Sequence, residues 1–320
     1  MTSRQTEALL CRLADPEAPV PNVPSGHLPR IAQMASDHNV GPVVLRKLAG
    51  ICDPEIVSDL KREVEATIAL TLRLRGLAND VSAFIRENGI AATMVKGRSF
   101  ATRLYPVPGD RPFTDIDILV SPDAREAFAG FLTDRGFRLH KRAAFDNTVA
   151  NQEEKWLHED VPALLIEVHG NLVHYEGLRR RVSFSFDDLM RIDADDPEAP
   201  LCLFFLAVVH GTLGHKLHQI RFLVDVLQAF RKLDTNDRDK LPQLAADLHL
   251  SVETALCLRL IAEMFDETAA AELASRFTFG PLASLGMDMI TAQVVIEAPY
   301  SRMSRLRRHA FRWIQRTMSR

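Results

Sequence analysis

Apolar residues recur at helical spacing from Ile31 to Leu48 and again from Pro54 to Asn88, where Leu60, Val64, Ile68, Leu72, Leu77, Val81 and Phe84 mark the run. Asn88-Gly89 supplies the stop. Ahead of these helices, Pro16, Pro19, Pro21, Pro24 and Pro29 break regular structure between Asp15 and Pro29. The period shortens after Gly89. Ile90 to Val95 and Thr114 to Val120 read as strands, with a short helix at Arg98 to Leu104 and a Pro/Gly loop at Tyr105 to Pro112 between them. Ser121-Pro122 opens a helix through Arg135, with Ser121 as N-cap, and Gly136 ends it. Phe137 to Lys141, Val149 to His158 and Ala163 to His169 follow as strands, the late ones mostly antiparallel. From Pro200 the helical period returns, over Leu201–Leu213, Ile220–Leu233, Leu241–Leu248, Val252–Phe265 and Pro281–Thr291. The pattern predicts an α+β protein: an N-terminal helical region over 1–88, an α/β core over 89–195 and a C-terminal helical domain over 196–320.

Length adds that a chain of 320 residues can bury a full core. A net charge of −3 excludes a molecule that binds nucleic acid through its overall charge. Cys11, Cys52, Cys202 and Cys257 are scattered without a Cys-x-x-Cys pair, which fits packing residues in a reducing compartment. The start lacks a sustained apolar run, and the most apolar segment, Leu201 to Val209, is too short to span a bilayer. The expectation is a cytoplasmic protein with no transmembrane segment.

Candidate chemistry concentrates in Lys96-Gly97-Arg98-Ser99 and in Arg111-Pro112-Phe113-Thr114-Asp115-Ile116-Asp117. Alternation along a strand puts Asp115 and Asp117 on one face. Paired carboxylates repel unless a cation sits between them, and Mg²⁺ bridged to a nucleotide phosphate is a common use of such a pair. Glu167, in the apolar run Leu164 to Val168, is the candidate third carboxylate of a two-metal site, because a Glu there is costly unless paired. Lys96-Gly97 ends a strand and opens a helix, so its backbone N–H groups offer an anion site to which Ser99 adds a hydroxyl and Lys96 or Arg98 adds charge. Arg111 either braces triphosphate oxygens or pairs with Asp110 or an acid of the strand.

The run from Met94 to Val120, with its Lys-Gly turn and Asp-x-Asp strand, resembles the signature of an uncharacterised bacterial nucleotidyltransferase family within the DNA polymerase β-type superfamily. Lys96-Gly97 takes the place of the usual Gly-Ser. Glu167-Val168-His169 resembles the family's later acidic-x-His strand, and His210 with Ile220 to Val226 resembles its helical C-terminal part. The resemblance implies a nucleotidyltransferase-type mixed sheet, an NTP donor such as ATP and two Mg²⁺ ions on Asp115, Asp117 and Glu167. It implies nucleotide binding by Lys96, Gly97, Arg98, Ser99, Arg111, His169 and His210. The acceptor stays open among a small molecule, a peptide and RNA. Family members occur in biosynthetic clusters, which suggests a tailoring role.

Two other classes share these residues. A glycosyltransferase also holds a nucleotide-sugar diphosphate on Asp-x-Asp, although a helical region before Lys96 argues against it. A silent nucleotide sensor would use the helical C-terminal part as its working surface. His210, His215 and His218 do not have zinc spacing and read as core or capping residues, with His210 or His215 over a base or phosphate as the second reading. Asp225 is expected to orient a His or Arg. The segment Ser301–Arg320 alternates Arg302, Arg305, Arg307, Arg308, Arg312 and Arg316 with Leu306, Phe311, Trp313 and Ile314 and holds no acid. Such a helix either packs its apolar stripe on the bundle or contacts RNA, an anionic lipid surface or an acidic peptide.

Overall fold

A computed structural model describes residues 3–144 and 152–318. The fold is mixed α+β, 61% helical, around one five-stranded sheet. The strands are β1 (Ala92–Met94), β2 (Ile116–Val120), β3 (Phe137–Ala144), β4 (Gln152–His158) and β5 (Leu165–His169), in the order β1-β2-β5-β4-β3. β2 and β5 are parallel; the other neighbours are antiparallel, as the late strands were read. Residues 149–151 of the predicted fourth strand lie outside the described residues.

The two faces of the sheet differ in chemistry. Ile116, Ile118, Val120, Ile166 and Val168 pack with Trp156 against the helix Arg125–Asp134 and the second half of the long helix Ser58–Glu87. Stacked Phe84 and Phe131, with ring centroids 4.0 Å apart, close that layer. The opposite face carries Asp117, Glu167, Lys155, Glu153 and His169 toward the helical part of the molecule. The first helices and the helices after Pro200 share one hydrophobic core, running from Leu10 to Phe311.

The long helix joins both cores. Leu60 and Val64 belong to the helical core, whereas Leu74, Ala78 and Val81 belong to the sheet core. Leu72, read as part of a single stripe, is 60% exposed for this reason. The helix also begins at Ser58 and not at Pro54, because the residues before it form turns. Ser121 leads into a 3-10 turn before the helix at Arg125, and its side chain makes no capping hydrogen bond. The helix Pro200–Val209 runs into a π-helical turn, His210–Gly214, after which Lys216 and Leu217 take positive φ of 55° and 50°. That wide turn sets the histidines against the sheet.

Candidate active site

Register builds the site. Asp117 and Glu167 are partners on the parallel pair β2 and β5, and Lys155 opposes Glu167 on β4. Two residues further along, His169 opposes Glu153. Period-two alternation therefore places these five side chains on one face. Asp115 enters from the residue before β2. The loop ahead of it is pinned by Thr71, whose hydroxyl donates to the Phe113 carbonyl at 2.8 Å and accepts the Phe113 N–H at 3.0 Å.

This face floors a cavity of about 560 Å³, within the range of small-molecule sites. Lys96, Gly97, Asp115, Asp117, Lys155 and Glu167 line one side. His210, His215 and Arg221 line the other, and Glu63 and Thr67 of the long helix close it.

The carboxylates are held by cations of the protein. Lys96 Nζ lies 2.7 Å from Asp117 Oδ1, and His169 Nε2 donates to the same oxygen at 2.9 Å. The Val95 N–H donates to the Asp117 carbonyl at 3.1 Å, which ties the Lys96 turn to β2. Lys155 pairs with Glu167 and, at 3.4 Å, with Glu153. Burial raises Asp117, but Lys96 and His169 outweigh it and hold the carboxyl below its ordinary range. Asp115 is pushed up to about 6, by burial first and then by Asp117 and Glu167.

The residues singled out in the sequence separate in space. Asp115, Asp117, Glu167, Lys96, Gly97 and His210 come together around the cavity. Arg98 and Ser99 do not. Arg98 Nε donates to Asn79 on the long helix at 3.0 Å. The Ser99 hydroxyl is fully buried, pairs with Glu198 and also donates to the Met94 carbonyl at 3.2 Å. Its N–H bonds back to the Lys96 carbonyl at 3.1 Å, because the first helical turn closes on itself. Arg111 reaches the wall, but its guanidinium is bound bidentately by Asp225, at 2.7 and 2.9 Å, and its third nitrogen donates to the Pro112 carbonyl. It is a buried strut between the loop and the helix Ile220–Arg231, and its partner is neither Asp110, which holds Arg46, nor an acid of β2. Asp225 orients an Arg, as expected. His169 is buried behind Asp117 and braces it from outside the cavity wall.

Gly97 lines the cavity for a reason that precedes any ligand. Its φ is +52°, and a Cβ there would stand 3.3 Å from the Phe113 ring and 3.5 Å from the Asp115 carbonyl. A side chain would strain the turn and press on the acidic strand.

Lys155, Glu153, His174 and Arg221 are among the wall residues that were not singled out. His215 had been weighed only in the histidine cluster. Arg221 Nε is buried without a hydrogen-bond partner among the described residues, and the guanidinium lies 5.3 Å from the Phe222 ring. Burial and Arg111 lower its pKa to about 10. His215 stacks on Phe222 with centroids 4.6 Å apart, and burial followed by Lys96 lowers it to about 3. His210, also neutral through burial, leaves its Nδ1 unpartnered.

Two overlapping sets among the described residues gather metal-ligand atoms within 4.8 Å: Asp117, Glu167 and His169, and Glu153, His169 and His174. Asp115 belongs to neither and enters the same cavity from the strand's start. A family described as uncharacterised nucleotidyltransferase matches residues 24–266, more than half of the chain.

The chain belongs to that nucleotidyltransferase family.

The match spans the long helix, the whole sheet and the helices through Phe265, so every cavity residue named above falls inside the nucleotidyltransferase region. No curated protein matches the chain. No helix among the described residues is long and apolar enough to cross a membrane.

Proposed function

We propose that the protein transfers a nucleoside monophosphate from an NTP to an acceptor hydroxyl or phosphate, with release of pyrophosphate and dependence on a divalent cation. The observation that supports this reading is the in-register placement of Asp117 and Glu167, with Asp115 beside them, on the floor of a cavity walled by Lys96 and Arg221.

The donor set fits a hard cation. Its atoms are carboxylate oxygens, with Asp117 and Glu167 in register on neighbouring strands and Asp115 lining the same cavity. Asp115, Asp117 and Glu167 would hold two Mg²⁺ ions. Such ions neutralise phosphate oxygens and acidify the attacking hydroxyl. The chain's own residues do the rest. His169 and Lys96 fix the Asp117 carboxylate in orientation. Lys155 does the same for Glu167, which is assigned the acceptor side and the acceptor's proton. Arg221 offers unpaired donors to the triphosphate, and the His215–Phe222 stack offers an aromatic wall to the base. The acceptor oxygen bonds to the α-phosphorus as the bond to the β-phosphate oxygen breaks. Catalysis is then positioning and charge neutralisation.

The test supplies the protein with NTPs labelled at the α-phosphate, a metabolite extract as acceptor, and Mg²⁺ or a chelator. Label appearing in a new Mg²⁺-dependent product, with pyrophosphate released, supports the reading. Transfer of a sugar from a nucleotide sugar, or NTP binding without any product, opposes it.

A further inference from the structure

The helix Arg302–Thr317 turns out the residues that a bundle would hide. Phe311 and Ile314 pack inward, but Met303, Leu306 and Trp313 are 64, 62 and 61% exposed. With exposed Ala310 they recur at steps of three and four, so they form one line along the helix. The expectation of an apolar stripe packed on the bundle therefore holds for only half of it. Polar groups take the inner positions: Arg312 donates to the Thr212 carbonyl at 2.8 Å, and Gln315 donates to buried Glu253 at 2.6 Å.

Arg302, Arg305 and Arg316 are exposed along one flank of this line, Arg316 also donating to the Tyr175 hydroxyl at 3.1 Å. The helix contains no acidic residue. Of the acids around it, Asp288 pairs with Arg259, and Glu297 accepts from Ser304. On the neighbouring helix Pro281–Asp288, which packs against Ile314 through Gly286, Leu282 and Leu285 are also exposed.

We propose that this face is a docking surface for an anionic phospholipid membrane. A helix lying in a bilayer interface presents large apolar side chains and a Trp to the acyl boundary and basic side chains to the headgroups. The exposed face has both, side by side. Single-stranded RNA would favour arginines and stacking rings at the centre of the face, whereas Leu306 and Ala310 stand there and neither stack nor donate. The surface is separate from the cavity and is joined to it by Arg312 on the histidine turn.

Vesicles of phosphatidylcholine with about one third phosphatidylglycerol test this, against pure phosphatidylcholine. The protein should sediment with the anionic vesicles only, and salt should weaken the binding. The chain has two tryptophans, and Trp156 is buried at 6% exposure, so a blue shift on binding reports Trp313. Trp313→Phe should bind and lose the shift. Met303→Asp with Leu306→Asp should melt as the wild type does and bind at least about tenfold more weakly. Equal binding to both vesicle types, binding unaffected by the double variant, or binding to single-stranded RNA without binding to vesicles would overturn the proposal.

Discussion

Asp225→Leu would leave the buried Arg111 guanidinium without its counter-charge and the buried Tyr105 hydroxyl, which donates to Asp225 at 2.7 Å, without that acceptor. Arg111 is 4% exposed, so its charge has no solvent to turn to. Breaking a buried ion pair from one side costs about 3–5 kcal/mol, and an orphaned hydroxyl adds about 1–3 kcal/mol. Against a total stability of roughly 5–15 kcal/mol, the single variant is expected to lose a large share of its stability. Arg111→Met added to Asp225→Leu removes the stranded charge, and Tyr105→Phe removes the stranded hydroxyl. The triple variant should therefore recover to within about 2 kcal/mol of wild type, because apolar replacement of a buried pair is often close to neutral. Urea unfolding followed by circular dichroism measures the series. Mg-NTP titration of the folded triple variant then separates a strut from a phosphate clamp. A strut predicts a change in Kd below about threefold; a loss above about tenfold, or single-variant costs that simply add, would contradict a strut.

Arg221→Met strands no carboxylate, so it should leave the melting temperature nearly unchanged while weakening Mg-NTP binding by about tenfold, the scale of a lost charge-assisted hydrogen bond; unchanged affinity by calorimetry would remove Arg221 from the donor site. Ser99→Ala should cost about 1–2 kcal/mol in urea unfolding and leave NTP affinity alone, since its hydroxyl bonds Glu198 and the Met94 carbonyl. His38 is fully buried as a neutral ring, with Nε2 donating to the Ile296 carbonyl at 3.0 Å and Nδ1 accepting the Ile220 N–H at 3.3 Å, and burial lowers it to about 4. A depressed histidine contributes stability above its unfolded pKa, near 6.5, that is lost as the pH falls through 4. Unfolding at pH 7, 5.5 and 4 should show that loss, and His38→Gln should flatten it by up to about 1.4 kcal/mol per pH unit; an unaltered slope would mean that His38 is charged or solvated.

The acidic strand was legible because alternation is a local rule: Asp115 and Asp117 on one face, and Glu167 on its strand, follow from period two alone. Their meeting was not, since the parallel pairing of β2 with β5 brings together residues about fifty positions apart, and nothing local encodes that register. Direction was the second blind spot. Ser99, Arg98 and Arg111 sit beside the site in sequence, yet each side chain turns to a partner far along the chain. Arg221 and Asp225, four apart on one helix, suggest a local pair. The structure gives Asp225 to Arg111 instead, and so leaves Arg221 to the cavity. Leu72 and the line Met303, Leu306, Trp313 show the third limit. Helical period says which residues share a face, but not whether a neighbour covers it.

Asp115, Asp117 and Glu167 are proposed to hold divalent cations together for a nucleotide. Mn²⁺ binding followed by electron paramagnetic resonance, with a non-hydrolysable NTP present, reads that without knowledge of the acceptor. Wild type should take up Mn²⁺ with its signal broadened into the bound form. Asp115→Asn and Asp117→Asn, checked for folding by circular dichroism, should lose that uptake, and Glu167→Gln should weaken it less in the donor complex. Full Mn²⁺ binding in all three folded variants would contradict the assignment.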